Sequence, residues 1–141
     1  NSPREQEPHT MGKVTLGNRP KTFKKAITVT LPEGGTGVVT MNYLYRTRVQ
    51  FGALVDEMIN AAGVPPPKSD APEDVAFSLR TAMEAGVDKN AEYILRVADG
   101  WDIDEDFNAT TVRRLCDELP GAALDIIETY RAAVTEGRLG N

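Results

Sequence analysis

Val39-Thr40-Met41-Asn42-Tyr43-Leu44-Tyr45-Arg46-Thr47-Arg48-Val49-Gln50-Phe51 contains the change of period that sets the fold class. Through Tyr45, apolar residues recur at every second position: Val39, Met41, Tyr43 and Tyr45 alternate with Thr40, Asn42, Leu44 and Arg46, the pattern of a half-buried strand. From Thr47 the spacing becomes three and four. Thr47-Arg48-Val49-Gln50 fits a capping box, and Phe51, Leu54, Val55, Met58 and Ile59 fall on one face of a helix over about Arg48–Ala62, with Gly63 ending it.

Upstream, Phe23, Ile27, Val29 and Leu31 alternate with Lys24, Ala26, Thr28 and Thr30, while Lys25 interrupts the apolar face. Pro32-Glu33-Gly34-Gly35 supplies turn chemistry, so the two runs form an antiparallel hairpin. Lys13–Leu16 is a candidate short third strand. Asn1–Thr10 is rich in Pro, Glu, Gln and Arg, so residues 1–15 read as a disordered leader or an expression remnant and 16–141 as a single domain.

Downstream, Val64-Pro65-Pro66-Pro67-Lys68-Ser69 reads as a stiff linker. A second helix is expected from about Asp70 to Gly86, with Val75, Ala76, Leu79 and Met83 as its stripe. Asp88 is expected to cap a third, carrying Ala91, Ile94, Leu95 and Ala98. Asn108 caps a fourth over about Ala109–Glu118, and Pro120 opens a fifth carrying Leu124, Ile127, Tyr130 and Val134. The expected fold is α+β: an N-terminal antiparallel β-hairpin followed by a small bundle of about five helices.

Composition narrows the function. A chain of 141 residues is long enough for one core. Its net charge of −5 argues against nucleic acid as the main ligand, because phosphate neutralisation needs clustered Lys and Arg. The basic run Arg19–Lys25 precedes a strand and reads as a solubilising edge. No stretch approaches the roughly 18 apolar residues of a membrane span, so no membrane partner is expected. The lone Cys116 falls with Val112, Leu115 and Leu119 on one helical stripe, where cysteine serves as core filler.

The candidate chemical sites fail one by one. Asp102, Asp104 and Asp106 have the spacing of the first three ligands of a calcium loop, but Phe107 stands where glycine is required and Arg113 where a bidentate glutamate is. A nuclease centre would need a base beside these carboxylates, and Arg113 and Arg114 stay protonated. Ser69 and Ser78 sit in no nucleophile elbow, and the only histidine, His9, lies in the polar leader. Met11-Gly12 lacks the hydroxyl residue that N-myristoylation requires. The sequence therefore predicts no enzyme, no cofactor and no metal. It does offer aromatic and apolar residues suited to protein contacts: Tyr43, Tyr45, Trp101, Ile103 and Phe107.

Several short motifs occur in an order that resembles the tail assembly chaperones of long-tailed bacteriophages. They are Lys21-Thr22-Phe23-Lys24-Lys25, Tyr45-Arg46-Thr47-Arg48, Gly100-Trp101-Asp102 with its acidic tail, and Pro120-Gly121-Ala122-Ala123 before a helix ending Gly137-Arg138-Leu139-Gly140-Asn141. The likeness spans about Leu16 to Asn141. It implies a protein made in the host cytoplasm that binds the tape measure protein, keeps it soluble, promotes tail tube assembly around it and is absent from the mature virion. The tail tube protein and a second copy of the chain are further partners to test. The resemblance also implies a longer frameshifted form, of which this would be the short one. The alternative is a minor structural component of the tail, retained in the virion.

Overall fold

A computed structural model of the chain describes residues 12–62 and 78–140. The leader before Gly12, the proline linker and the expected start of the second helix at Asp70 lie outside the described residues. Strands β1 (Thr22–Thr30) and β2 (Thr36–Leu44) pair antiparallel in unbroken register, from Thr22 opposite Leu44 to Thr30 opposite Thr36. Their turn is closed by Gly34 N–H donating to Leu31 O and Leu31 N–H to Gly35 O, at 2.9 and 2.8 Å. Gly34 has φ 104°, a conformation that a side chain would strain. The alternation expected for β1 is realised: Phe23, Ile27 and Val29 are buried and Lys24, Thr28 and Thr30 exposed. Lys25, on the buried side, is half-buried, and its ammonium donates to the carbonyl of Gly140. A lysine stem can lie along apolar surface while its charge finds an oxygen at the rim.

The first helix, α1 (Arg48–Ala62), begins as the period change predicts. Gln50 N–H donates to Thr47 Oγ1 at 3.1 Å and Thr47 N–H to Gln50 Oε1 at 2.8 Å, the reciprocal bonds of a capping box.

The second and third helices of the sequence reading are corrected to one. Helix α2 (Leu79–Val97) runs unbroken through Gly86-Val87-Asp88, and its N-cap is Ser78, whose Oγ accepts from Thr81 N–H at 3.1 Å. Gly86 does not take the left-handed conformation that ends helices. Asp88 does not cap; its carboxylate accepts from Arg113 Nε at 2.6 Å. An internal glycine costs a helix only about 1 kcal/mol relative to alanine, and the burial of Ala91, Ile94 and Val97 outweighs it.

The third strand also differs from expectation. Lys13–Leu16 forms no strand, and Val14 and Leu16 are exposed. Instead β3 (Ala98–Trp101) leaves the end of α2 directly and pairs antiparallel with β2, giving the order β1-β2-β3 with a register shift at Asn42 and Tyr43. Helix α3 (Ala109–Glu118) has the expected bounds, and α4 (Pro120–Glu136) opens at Pro120 as expected but ends at Glu136, short of the expected Gly137-Arg138. Asn108 and Thr111 form the capping box of α3, Pro120 occupies the first turn of α4, and Gly137 ends α4 at φ 73°. Four helices and three antiparallel strands are therefore present among the described residues.

The buried face of the sheet lies against α4, and α2 and α3 complete the core. At its centre Tyr43 and Tyr130 meet with ring centroids 5.1 Å apart, flanked by Phe23 at 5.4 Å from Tyr43 and Phe51 at 5.8 Å from Tyr130. Both hydroxyls have acceptors: Tyr43 donates to Ile126 O at 2.6 Å and Tyr130 to Leu44 O at 2.9 Å. Among the described residues, no buried side-chain nitrogen or oxygen lacks a hydrogen-bond partner.

Candidate protein-binding surfaces

The five residues singled out in the sequence take up three different environments. Tyr43 is fully buried, and its hydroxyl is committed to helix α4, so it supports the fold from inside and offers no surface in this conformation. Tyr45 follows β2, is half-buried, and lines a hollow with Arg19, Thr47, Arg48 and the end of α4. The other three belong to one loop.

That loop is built by its own hydrogen bonds. Asp102 N–H donates to Thr40 O at 3.1 Å while its carboxylate accepts from Thr40 N–H at 2.8 Å, so one residue extends the ladder past the end of β3. Trp101 Nε1 donates to Glu105 O at 2.8 Å, folding the turn back on itself. The Glu105 carboxylate pairs with Arg114 of α3 at 2.9 Å. Trp101 and Phe107 then meet edge to face, centroids 5.0 Å apart at 89°. Trp101, Ile103 and Phe107 are each half-buried between exposed acids, which makes this an ordered rim with aromatic faces turned partly outward. Trp101 and Ile103, with Leu115 of α3 and Leu119 just after that helix, line a shallow hollow of about 120 Å³. The acids do not converge: no group of three or more His, Cys, Asp or Glu among the described residues is placed to hold a metal ion.

A larger apolar feature lies elsewhere. Sequence periodicity put Val55, Met58 and Ile59 on the core face of α1, but among the described residues of that helix only Leu54 is buried. Val55 and Met58 are half-buried and Ile59 is 61% exposed. Together with Ala85, Lys89, Glu92 and Tyr93 of α2 they line a groove of about 590 Å³. Leu79 and Met83, on the N-terminal half of α2, are 61% and 59% exposed. Arg96 of α2 and Glu57 of α1 meet at 2.8 Å, bridging the two helices. A periodic stripe shows that a helix has an apolar face; it does not show whether the protein's own core covers that face.

Among the described residues, the displaced titrations all follow from burial or surface ion pairs. Burial pushes the Cys116 thiol up to about 11, the reverse of what a nucleophilic thiolate needs. Burial likewise pushes the Tyr93 hydroxyl up to about 12 and raises those of Tyr43 and Tyr130. None of the described helices is long and apolar enough to cross a membrane.

These features describe apolar and aromatic surface on an ordered α+β scaffold, and comparison with known families points the same way. Residues 11–141 match the family model described as phage tail assembly chaperone. The chain belongs to that family. Comparison with curated proteins and with solved structures gives no match. The family is one of assembly chaperones, not a class of enzymes.

Proposed function

We propose that this tail assembly chaperone binds the tape measure protein of its phage in the host cytoplasm, covering apolar helical surface until tail tube subunits replace it, and is absent from the finished virion. The observation that carries this reading is the groove between α1 and α2, where α1 leaves Val55 and Met58 half-buried and Ile59 exposed. A tape measure protein presents long apolar helical faces that aggregate unless a partner covers them. Such a face fits a groove between two helices as an amphipathic helix does, with anchors repeating every three to four residues. Met58, in the groove, adds an unbranched side chain that adapts to more than one ligand segment. Tyr45 and the Trp101, Ile103 and Phe107 rim are proposed as secondary contacts.

The test is co-expression with the tape measure protein of the same gene cluster, scored by the soluble fraction of that protein. The wild-type chain should raise it. A chain carrying Ile59→Glu and Ala85→Glu, both in the groove lining, should not, because a carboxylate in an apolar contact must be desolvated without a partner. Equal solubility with and without the wild-type chain would overturn the reading. Mass spectrometry of purified virions addresses the other half of the proposal: finding this chain in them would mark it as a structural tail component instead.

A further inference from the structure

Most of the net charge of this chain lies in one stretch. Trp101–Leu119 holds six carboxylates and two guanidinium groups, a net −4 against −5 for the whole sequence. Both guanidinium groups are already engaged: Arg113 pairs with Asp88, and Arg114 meets Glu105 at 2.9 Å and Glu118 at 3.7 Å. Asp104 and Asp106 are exposed and have no cation partner among the described residues.

Within this acidic stretch is an apolar seat. Trp101, Ile103, Leu115 and Leu119 line the hollow of about 120 Å³, and Glu105 of the loop and Glu118 of α3 stand in the same lining. Small-molecule pockets run from about 300 to about 1,000 Å³, so a hollow of this size seats one side chain and no drug-sized ligand. Carboxylates on two elements flank it. An apolar side chain with acidic neighbours is therefore repelled, and one with cationic neighbours is drawn in.

The hollow is also preformed. Trp101 is held by its bond to Glu105 O and by its ring contact with Phe107. The start of the loop is fixed by the bonds between Asp102 and Thr40, and its end by the Thr111 hydroxyl, which donates to Asp106 O. A contact that needs no ordering of the loop loses less affinity to entropy, and tryptophan is among the residues that carry most of the energy of protein interfaces.

We propose that the Trp101 hollow is a docking point for a partner polypeptide segment in which one aliphatic side chain is flanked by lysine or arginine. The aliphatic group seats on the Trp101 and Leu119 side chains, and the cations take up the charge of Asp104, Asp106 and Glu118. The hollow shares no residue with the lining of the α1–α2 groove, so the inference stands whichever polypeptide fills that groove.

Trp101 is the only tryptophan of the chain, so its emission reports on this hollow in the intact protein. The probe is a blocked pentapeptide with one leucine between two pairs of lysines. At about 0.01 M salt it should shift the emission and saturate below about 1 mM, and at about 0.15 M salt its Kd should rise several-fold. Alanine in place of the leucine should weaken binding about tenfold through lost apolar burial. Glutamates in place of the lysines should abolish it. Asp104→Asn/Asp106→Asn, with an unchanged circular dichroism spectrum, should weaken the leucine peptide about threefold or more. The peptide substitutions test the same contact on the wild-type chain, without touching its fold. An emission that stays constant up to about 1 mM peptide overturns the proposal. So does an alanine peptide that binds as well, or spermine, a cation with no apolar anchor, that reproduces the shift. This titration and the co-expression test read different residues, so either can fail without the other.

Discussion

The Tyr43 hydroxyl is a polar group at the centre of the core, and its bond to Ile126 O ties β2 to α4. Because Ile126 lies within α4, its carbonyl keeps a helical partner when the tyrosine bond is removed. Tyr43→Phe should therefore cost about 1 kcal/mol, at the lower end for a lost buried hydrogen bond, read as a drop in the urea midpoint with an unchanged slope. No measurable drop would mean that the hydroxyl does not anchor the sheet. The side-chain pattern of β1 and β2 shows which residues face inward, but the identity of the acceptor belongs to α4, more than eighty positions away. For the same reason Lys25 reads in sequence as a break in the apolar face, when it is a stem lying on the core with its charge satisfied by Gly140.

Helix α2 is where local signals and tertiary packing disagree. Gly86 followed by Asp88 resembles a stop and a new N-cap, and a sequence reading divides the helix there. In the folded chain Gly86 is helical and exposed, and a Cβ built on it meets nothing within 4 Å. Gly86→Ala should thus stabilise the protein by about 0.5–1 kcal/mol, measured by thermal or denaturant unfolding. Gly137→Ala should do the reverse by a similar amount, since Gly137 ends α4 at φ 73°. A destabilised Gly86→Ala would mean that α2 is broken at that residue after all. The capping box at Thr47 and the N-cap at Asn108 were legible because the side chains that satisfy the first amides lie within three residues of them.

For the whole molecule, the groups with displaced titration make stability depend on alkaline pH. Burial raises the Cys116 thiol from 9.0 to about 11 and the Tyr93 hydroxyl from 10.0 to about 12, so the folded state holds protons that the unfolded chain has released. The sign follows: this stability is fully present below pH 9.0 and is lost as pH rises toward about 12. The urea midpoint should fall as pH is raised from about 9 to about 11, and Cys116→Ala should flatten the first part of that fall. A midpoint that holds constant across the interval would contradict the burial of both groups. In the same folded state Cys116 should resist alkylating reagents at neutral pH, because its thiolate fraction is very small.

Sequence alone determined the class of fold, the hairpin, the bounds of α1 and α3, the start of α4 and the order of motifs that marks the family, because each depends on side-chain period and on caps acting within a few residues. It also identified Trp101, Ile103 and Phe107 as apolar members of an acidic loop. Only the tertiary structure decided that Ala98–Trp101 pairs with β2, that Tyr43 is interior, that α2 is continuous, and that α1 leaves Val55, Met58 and Ile59 incompletely covered. Those outcomes turn on which distant element lies against a given face, and the free energy of that packing outweighs the local preferences that a reading along the chain can see.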